Sequence, residues 1–361
     1  MNDYPPAFQY LVRLLLTFAI VAALVMAKAL LAPLFFALLF AYLLYPGAKW
    51  LEDRGVSRIA ANLILIVGSI AFLSGCIFLI ASLVTSFTEN IPEIRAQFKE
   101  NIYALRQTVK NTTGITIYQQ NNLLDTFGSA GNYLNRLFSA TTNTILAIGL
   151  IPVYTFLLLF YRNKFRTFIS MLVRPEQEET VENIANQVAE VMPRYLKGLF
   201  VVFFILIGLN SLGFYIIGIQ YAFFLGVVAA FFNLIPYMGT VIGYGIVFIF
   251  VFLTQSPSLA LLVVVQFFIV QFLENNILTP NITGAYVSIN PLVIIFSLIA
   301  GGMIWGLPGM FMIIPYLAMF KIGCENTPSL KPIGYLLSTR GAEQHSISIQ
   351  SLKKTFGWTE D

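Results

Sequence analysis

The sequence predicts an all-α polytopic membrane protein with about eight transmembrane helices, some of them broken, and with amphipathic helices outside the membrane. Hydrophobic residues make up 58% of the chain and charged residues only 11%, whereas a soluble domain carries about 25% charged residues. Glu274 is also the only charged residue between Lys197 and Lys321. A soluble core of that length would carry charged faces, and apolar runs of about 20 residues are those that cross a bilayer.

The N-terminal part, residues 1–86, is predicted to form the first three transmembrane helices. The first covers residues 11–31, Pro33 opens the second, and Pro46 closes it. The third begins near residue 60 and is free of charge up to Glu89. A fourth transmembrane helix is expected over residues 141–161, and Pro152 inside it is tolerable because neighbouring groups can satisfy the freed carbonyl.

Residues 87–140 are predicted to form an extracytoplasmic helical insert. Apolar residues three and four apart in its first half define one helical face: Ile91, Ile94, Phe98, Ile102, Leu105 and Val109. The second half is less regular and is expected to form a shorter helix on the membrane or on a neighbouring helix. The insert either packs against its own bundle or serves as a lid or partner-binding element.

Residues 162–197 are predicted to form a cytoplasmic amphipathic linker helix. Glu176, Glu178 and Glu179 begin it, and Arg194 and Lys197 end it. This charge order complements the helix dipole and suits a short independent helix at the membrane surface. The helix is either a solvated linker or a coupling element.

Residues 198–323 are predicted to form the transport core, and residues 324–361 a cytoplasmic tail. Two apolar runs, 222–253 and 287–322, are interrupted by glycine and proline, so each is either one broken span or a hairpin. Two short basic clusters lie beside the spans. One is in the loop after the second span and the other directly follows the fourth: Lys49, Arg54 and Arg58, and Arg162, Lys164 and Arg166. By the positive-inside rule both clusters, and both chain termini, should be cytoplasmic.

Composition argues against several functional classes. Cys76 and Cys324 are too few for a disulfide framework and are expected to be small buried thiols. The one histidine, His345, lies in the polar tail, so no metal or cofactor site is expected in the membrane. The sequence lacks a phosphate-binding Gly-x-x-x-x-Gly-Lys-Ser/Thr motif. Basic residues beside the spans indicate topology rather than nucleic-acid binding.

Glu274 is the principal candidate site residue. A carboxylate at membrane depth costs about 2.5–3.5 kcal/mol on insertion scales, so it must be paired, protonated or in contact with water. Such a group can exchange a proton for a cation or a polar solute. Gln271 and Asn275 should share its helix face, with Asn276 adjacent. The alternatives are that Glu274 lies at a helix end and that these amides hold neighbouring helices together.

A second candidate is the predicted break in the first interrupted run, marked by Asn233, Pro236 and Gly239. Unwound backbone at membrane depth is tolerated where it lines a cavity, so this segment is a candidate gate; a simple proline kink is the alternative. Further candidate hinges or close-packing positions are Asn290, Pro291, Gly301, Gly302, Gly306 and Gly309.

Together these motifs resemble the autoinducer-2 exporter family of PerM-like permeases. The resemblance rests on Asn233-x-Ile235-Pro236-x-x-Gly239, on Gln271-x-x-Glu274-Asn275-x-x-Leu278-x-Pro280-x-Ile282-x-Gly284, on Pro291-Leu292, and on Gly301-Gly302-x-x-x-Gly306-x-x-Gly309 ending at Pro315. It extends over nearly the whole chain. One departure is Asn290, where many members have histidine; asparagine cannot titrate, so no proton relay is expected there.

The resemblance implies a homo-oligomeric permease of the bacterial cytoplasmic (inner) membrane, and not an enzyme. Some members export a small signalling molecule and others exchange sodium or lithium for protons. The hypothesis is a secondary transporter that exports a small polar solute with proton coupling, with a Na⁺(Li⁺)/H⁺ antiporter as the alternative. Its partners would be the solute or cation, protons and the lipid bilayer. The rival from another class is a non-transporting membrane scaffold or accessory subunit.

Overall fold

The computed structural model describes residues 5–89, 91–113, 141–236, 238–283 and 288–339. The chain divides into two compact units, one drawn from residues 1–163 and 193–284, the other from residues 164–192 and 285–361. The second half of the predicted insert, Gly284 of the motif and the tail beyond residue 339 lie outside the described residues.

The first unit begins with three long helices, α1 (Pro6–Met26), α2 (Lys28–Glu52) and α3 (Arg58–Glu89). The prediction that Pro33 opens the second helix is wrong, because the break falls at Ala27, where the backbone turns to φ −87° and ψ 14°. Both Pro33 and Pro46 lie inside α2. A proline removes a single amide donor, and helices in apolar surroundings accommodate that loss.

A charged cluster ties α2 and α3 to helix α5 (Thr141–Phe160). The guanidinium of Arg162 donates to both carboxylate oxygens of Glu52, at 3.0 and 2.5 Å. Arg58 reaches the same carboxylate at 3.7 Å and donates to Phe160 O at 3.4 Å. One residue of each basic cluster, Arg58 and Arg162, therefore meets at the Glu52 carboxylate.

The first half of the insert forms helix α4 (Ile91–Thr113), as its apolar spacing predicts. The amide nitrogen of Asn101 donates to Leu253 O at 3.1 Å and to Gln255 O at 3.2 Å. Both acceptors lie at the end of a helix of the same unit, so α4 packs against its own bundle.

The linker helix does not end where its charges predict. Helix α6 (Arg162–Leu172) is short, but α7 (Pro175–Ile217) continues for 43 residues and ends only before Gly218, which has φ +85°. Arg194 and Lys197 are therefore interior residues of a long helix, contrary to prediction. Charges that favour a helix terminus do not break a helix, and the apolar residues beyond Lys197 propagate it.

Both interrupted runs fold as helical hairpins. In the first, α8 (Ala222–Asn233) and α9 (Met238–Thr254) run antiparallel. A Cβ added at Gly243 would lie 3.0 Å from Ala229 O, while Gly239 lies against Phe232. With 12 and 17 residues, neither helix alone reaches the roughly 30 Å of a bilayer core. Helix α10 (Pro257–Leu273) follows and continues into a π-helical segment, Glu274–Thr283.

In the second unit, α11 (Pro291–Trp305) and α12 (Leu307–Asn326) form the other hairpin, and a short helix α13 (Lys331–Leu337) follows. Gly306 makes the turn with φ +67°, a backbone conformation that favours glycine. Gly301 and Gly309 lie against each other, and a Cβ added at Gly301 would lie 2.7 Å from Gly309 O. The glycine motif therefore supplies one turn and one close helix contact.

Replacing Gly309 by alanine is expected to lower the free energy of unfolding by about 1–3 kcal/mol, because the new methyl group would meet the carbonyl of Gly301 and force the helices apart. Gly323 on the same helix is the matched control, since a Cβ there has no neighbour within 4 Å. Heating the detergent-solubilised proteins and measuring the monodisperse fraction would compare them. Equal stability of the two variants would contradict this account of the contact.

Length and composition identify several helices that can cross a membrane. Five meet both criteria among the described residues: Lys28–Glu52, Arg58–Leu83, Pro175–Ile217, Pro257–Ile282 and Leu307–Asn326. Shorter apolar helices accompany them: Leu14–Met26, Gly149–Phe160, Ala222–Asn233, Met238–Thr254 and Pro291–Trp305. The predicted fold class, an all-α polytopic membrane protein, is confirmed.

Candidate functional site

Glu274 lies where α10 passes into the π-helical segment, opposite the tip of the α8–α9 hairpin. The amide nitrogen of Asn233, the last residue of α8, donates to Glu274 Oε1 at 2.7 Å. Gln271 Nε2 faces the other carboxylate oxygen, Oε2, at 3.4 Å. Two amide donors therefore hold the carboxylate, and two of the predicted sites, the acid and the helix break, form one site.

Thr240 completes this arrangement on the other arm of the hairpin. Its hydroxyl donates to Asn233 Oδ1 at 2.5 Å, so both ends of the Asn233 amide are engaged. Gly239, one residue earlier, is buried and packs directly on the carbonyl of Phe232. The absence of a side chain at Gly239 lets α9 begin close enough to α8 for Thr240 to reach Asn233.

Pro236 lies in the tight turn between the two helices. Met238 N donates to Pro236 O at 2.7 Å, and Ile235 N donates to Phe232 O at 3.0 Å. Much of the turn's backbone is therefore satisfied internally. Pro236 itself is half-buried and supplies turn geometry rather than a functional group.

The neighbouring amides separate into two groups. Gln271 is half-buried, and its Oε1 has no hydrogen-bond partner among the described residues. Asn275 and Asn276 are exposed, and Asn276 Nδ2 donates to Phe272 O at 2.9 Å. Of the two amides expected on this helix face, Gln271 therefore contacts the carboxylate, whereas the side chain of Asn275 is exposed.

The predicted residues of the second unit have structural contacts. Asn290 caps α11, because its Oδ1 accepts from Leu292 N at 3.0 Å, and its own N–H donates to Leu337 O at 2.8 Å. Pro291 occupies the first helical position, where its missing N–H costs nothing. Gly302 lies against the flexible side chain of Met310.

Comparison with known proteins decides the family. The sequence model described as AI-2E family transporter matches residues 14–329, most of the chain. This protein belongs to the AI-2E transporter family. Nothing in the match depends on a single motif, since it runs from the first helix to beyond the last membrane-length helix.

Individual relatives of this AI-2E transporter are distant but aligned over most of their length. YrrI of Bacillus subtilis, which is named as a transport protein, is 28% identical to this chain over 308 residues. The alignment covers 82% of this chain and 86% of YrrI. AI-2 transport protein TqsA of Escherichia coli is 25% identical over 320 residues, covering 88% of this chain and 92% of TqsA.

A second polar cluster of the transporter was missed by sequence reasoning. The hydroxyl of Tyr244 donates to Asn210 Oδ1, and Gln266 Nε2 donates to Asn210 O at 3.1 Å. All three residues are buried. The side chain of Gln266 fits only because Gly213 faces it, where a Cβ would overlap the amide. The available signal was an uncharged amide in each of two apolar runs, Asn210 and Gln266.

The two polar clusters lie along the same pair of helices. Thr240 and Tyr244 are four residues apart on α9, and Gln266 on α10 lies eight residues before Glu274, which follows α10 directly. Four residues return to within about 40° of the starting direction and eight to within about 80° of it, and eight residues correspond to about 12 Å of helix. Polar groups therefore recur at two levels, about one turn apart along α9 and about two turns apart along α10 with its π-helical continuation.

Lys321 is another residue whose role the sequence did not reveal. Its ammonium group is buried and donates to Ser288 O at 2.8 Å and to Ser288 Oγ at 3.0 Å, with Glu325 Oε1 at 3.7 Å. A buried cation needs such partners. In the sequence Lys321 served only to mark the end of the charge-free region, whereas in the structure it fixes the segment that leads into α11.

Replacing Tyr244 by phenylalanine is expected to lower the free energy of unfolding by about 1–3 kcal/mol, because the buried Asn210 Oδ1 would lose its hydroxyl donor. The matched control is Tyr215→Phe, since Tyr215 is 76% exposed. Thermal unfolding of the two variants in detergent would measure the difference. A loss of stability as large for Tyr215→Phe would show that the Asn210 contact is not responsible.

Proposed function

We propose that this AI-2E transporter exports a small polar solute by proton-coupled secondary transport, with Glu274 as the coupling carboxylate. One observation carries the proposal: the only charged residue between Lys197 and Lys321 is held by Asn233 at the tip of a helical hairpin. An intramembrane carboxylate is costly and marks a site of proton or ion movement in many transporters.

The hydrogen-bond directions provide a means of coupling. An ionised Glu274 accepts from Asn233 Nδ2, while Asn233 Oδ1 accepts from Thr240. Protonation of Glu274 at Oε1 makes that oxygen a donor, and the Asn233 amide then turns over to offer Oδ1 to Glu274 and Nδ2 to Thr240 Oγ1. Because Asn233 ends α8, the charge state of Glu274 acts directly on the hairpin tip.

Separate observations support the proposed solute and the proposed orientation of the chain in the membrane. The relative named AI-2 transport protein TqsA favours a small signalling solute resembling autoinducer-2. The meeting of Arg58 and Arg162 at Glu52 supports the placement of both basic clusters on one side of the membrane. We assign that side, and both chain termini, to the cytoplasmic face of the cytoplasmic (inner) membrane, and infer a homo-oligomer.

Sodium or lithium exchange for protons is the second candidate. Gln271 Oε1, on the same amide group whose Nε2 faces the carboxylate, has no partner among the described residues. A carboxylate with a spare amide oxygen offers the hard oxygen ligands that monovalent cations bind. The same site could therefore exchange a cation for the proton on Glu274.

Everted vesicles containing the protein separate these possibilities. Sodium, lithium or potassium is added in turn to vesicles holding a pH gradient, and uptake of a labelled autoinducer-2-type solute is measured in parallel. Glu274→Gln tests the site, and Glu178→Gln is the matched control because Glu178 is exposed on α7. Solute uptake that dissipates the gradient only with Glu274 intact supports the proposal.

Two other outcomes would support the cation antiporter or the non-transporting scaffold instead. Loss of the gradient on adding sodium or lithium, absent in Glu274→Gln, identifies the cation antiporter. No flux of either kind from pure protein in liposomes identifies the scaffold.

A further inference from the structure

Helix α6 has an apolar stripe that no other part of the described chain covers. Its members are spaced three and four residues apart: Phe165, Phe168, Ile169 and Leu172. Their exposed fractions are 47, 55, 46 and 68%. Four large apolar side chains at such spacing form one continuous face along two turns of helix.

Basic side chains lie beside this stripe, and two of them, Arg162 and Arg166, also pair with the acidic residues Glu52 and Glu182. Residues 162–174 contain Arg162, Lys164, Arg166 and Arg174 and no acidic residue. Successive residues lie about 100° apart around a helix, which places Lys164 on one side of the stripe and Arg166 on the other. Basic residues flanking an apolar face characterise helices that lie in the headgroup region of an anionic bilayer.

The other contacts of α6 leave the stripe uncovered. Arg166 pairs with Glu182 on α7 and donates to Asn186 Oδ1 at 3.2 Å. This attachment uses a residue beside the stripe and not one of its apolar members. These contacts do not cover the side chains of Phe168 and Leu172, which stay exposed.

The position of α6 in the chain indicates which surface lies next to its apolar stripe. Only Tyr161 separates the first residue of α6 from the end of α5, which is apolar over Gly149–Phe160. A helix that begins directly after an apolar span, and whose first residue is arginine, starts at the level of the headgroups. The surface available to its apolar stripe is therefore the bilayer itself.

We propose that α6 is an interfacial anchor whose stripe of Phe165, Phe168, Ile169 and Leu172 inserts into the bilayer surface while its flanking basic residues bind anionic lipid headgroups. Insertion buries the four apolar side chains that are exposed in the protein. Anionic headgroups add electrostatic attraction for Lys164 and its neighbours. This site is separate from Glu274 and does not depend on the transport activity.

Probe-depth measurements on the full chain test the proposal. Cys76, the partly exposed thiol, is replaced by serine, and an environment-sensitive fluorophore is attached at Phe168→Cys or, as control, at Thr167→Cys on the opposite face. Each protein is reconstituted into vesicles of phosphatidylcholine alone or mixed equally with phosphatidylglycerol, both with brominated acyl chains. The Phe168 probe should be quenched several-fold more than the Thr167 probe, and more strongly with phosphatidylglycerol.

Three results would count against the proposal. Equal quenching at the two positions would mean that the stripe does not enter the bilayer. A Phe168 probe that is shielded both from brominated chains and from aqueous iodide would show that another protein surface, such as a second copy of the chain, covers it. Quenching that is the same in both lipid mixtures would remove the role of anionic headgroups.

Discussion

Replacing Glu274 by glutamine should reduce the initial rate of transport by at least about tenfold without changing the amount of assembled protein. Glutamine has nearly the same shape but cannot release a proton, and it keeps only one acceptor oxygen for Asn233 and Gln271. A hydrogen bond to a charged group contributes about 1.5–3 kcal/mol, and 1.4 kcal/mol corresponds to about a factor of ten. Flux into everted vesicles, normalised to protein content, measures the effect.

Two further variants sharpen this test. Glu274→Asp keeps the charge but shortens the side chain by one methylene group, so it should retain partial transport with a weaker contact to Asn233. Combining Asn233→Ala with Glu274→Gln should cost less than the sum of the single changes, because the two residues share one hydrogen bond. Wild-type flux in Glu274→Gln would remove Glu274 from the mechanism.

The second large effect is expected from Gly239→Ala, which should lower the free energy of unfolding by about 2 kcal/mol or more and also abolish transport. A methyl group at this position would overlap the carbonyl of Phe232, a backbone atom that cannot move aside as a side chain does. The start of α9 must then shift, and Thr240 moves away from Asn233.

Gly245→Ala is the matched control, since Gly245 lies on the same helix with no neighbour within 4 Å of an added Cβ. Alanine inside a helix is more favourable than glycine by about 0.5–1 kcal/mol, so this variant should be as stable as the wild type or slightly more stable. Size-exclusion profiles after heating, together with vesicle flux, report both properties. Wild-type behaviour of Gly239→Ala would show that the hairpin tip tolerates displacement.

Much of this architecture could be predicted from the residues alone. The charge-free run with Glu274 predicts a membrane fold with one marked acid, and Asn233, Pro236 and Gly239 predict where the first interrupted run breaks. These predictions succeed because hydropathy and glycine or proline content act locally on a few consecutive residues. Helix ends were predicted less well. The charge at Lys197 suggested an end that α7 does not have, because a helix terminus depends on the residues beyond it as well as on the dipole.

By itself, then, the sequence determined the membrane class, the family motifs and the single charged residue between Lys197 and Lys321. Only the tertiary structure decided that both interrupted runs are hairpins, that Asn233 and not Asn275 meets Glu274, and that Lys321 is buried against Ser288. The physical reason is that lipid and protein interior are equally apolar, so hydropathy shows which side chains leave water but not which groups they contact. Partners 41 positions apart, such as Asn233 and Glu274, meet only when the helices between them have packed.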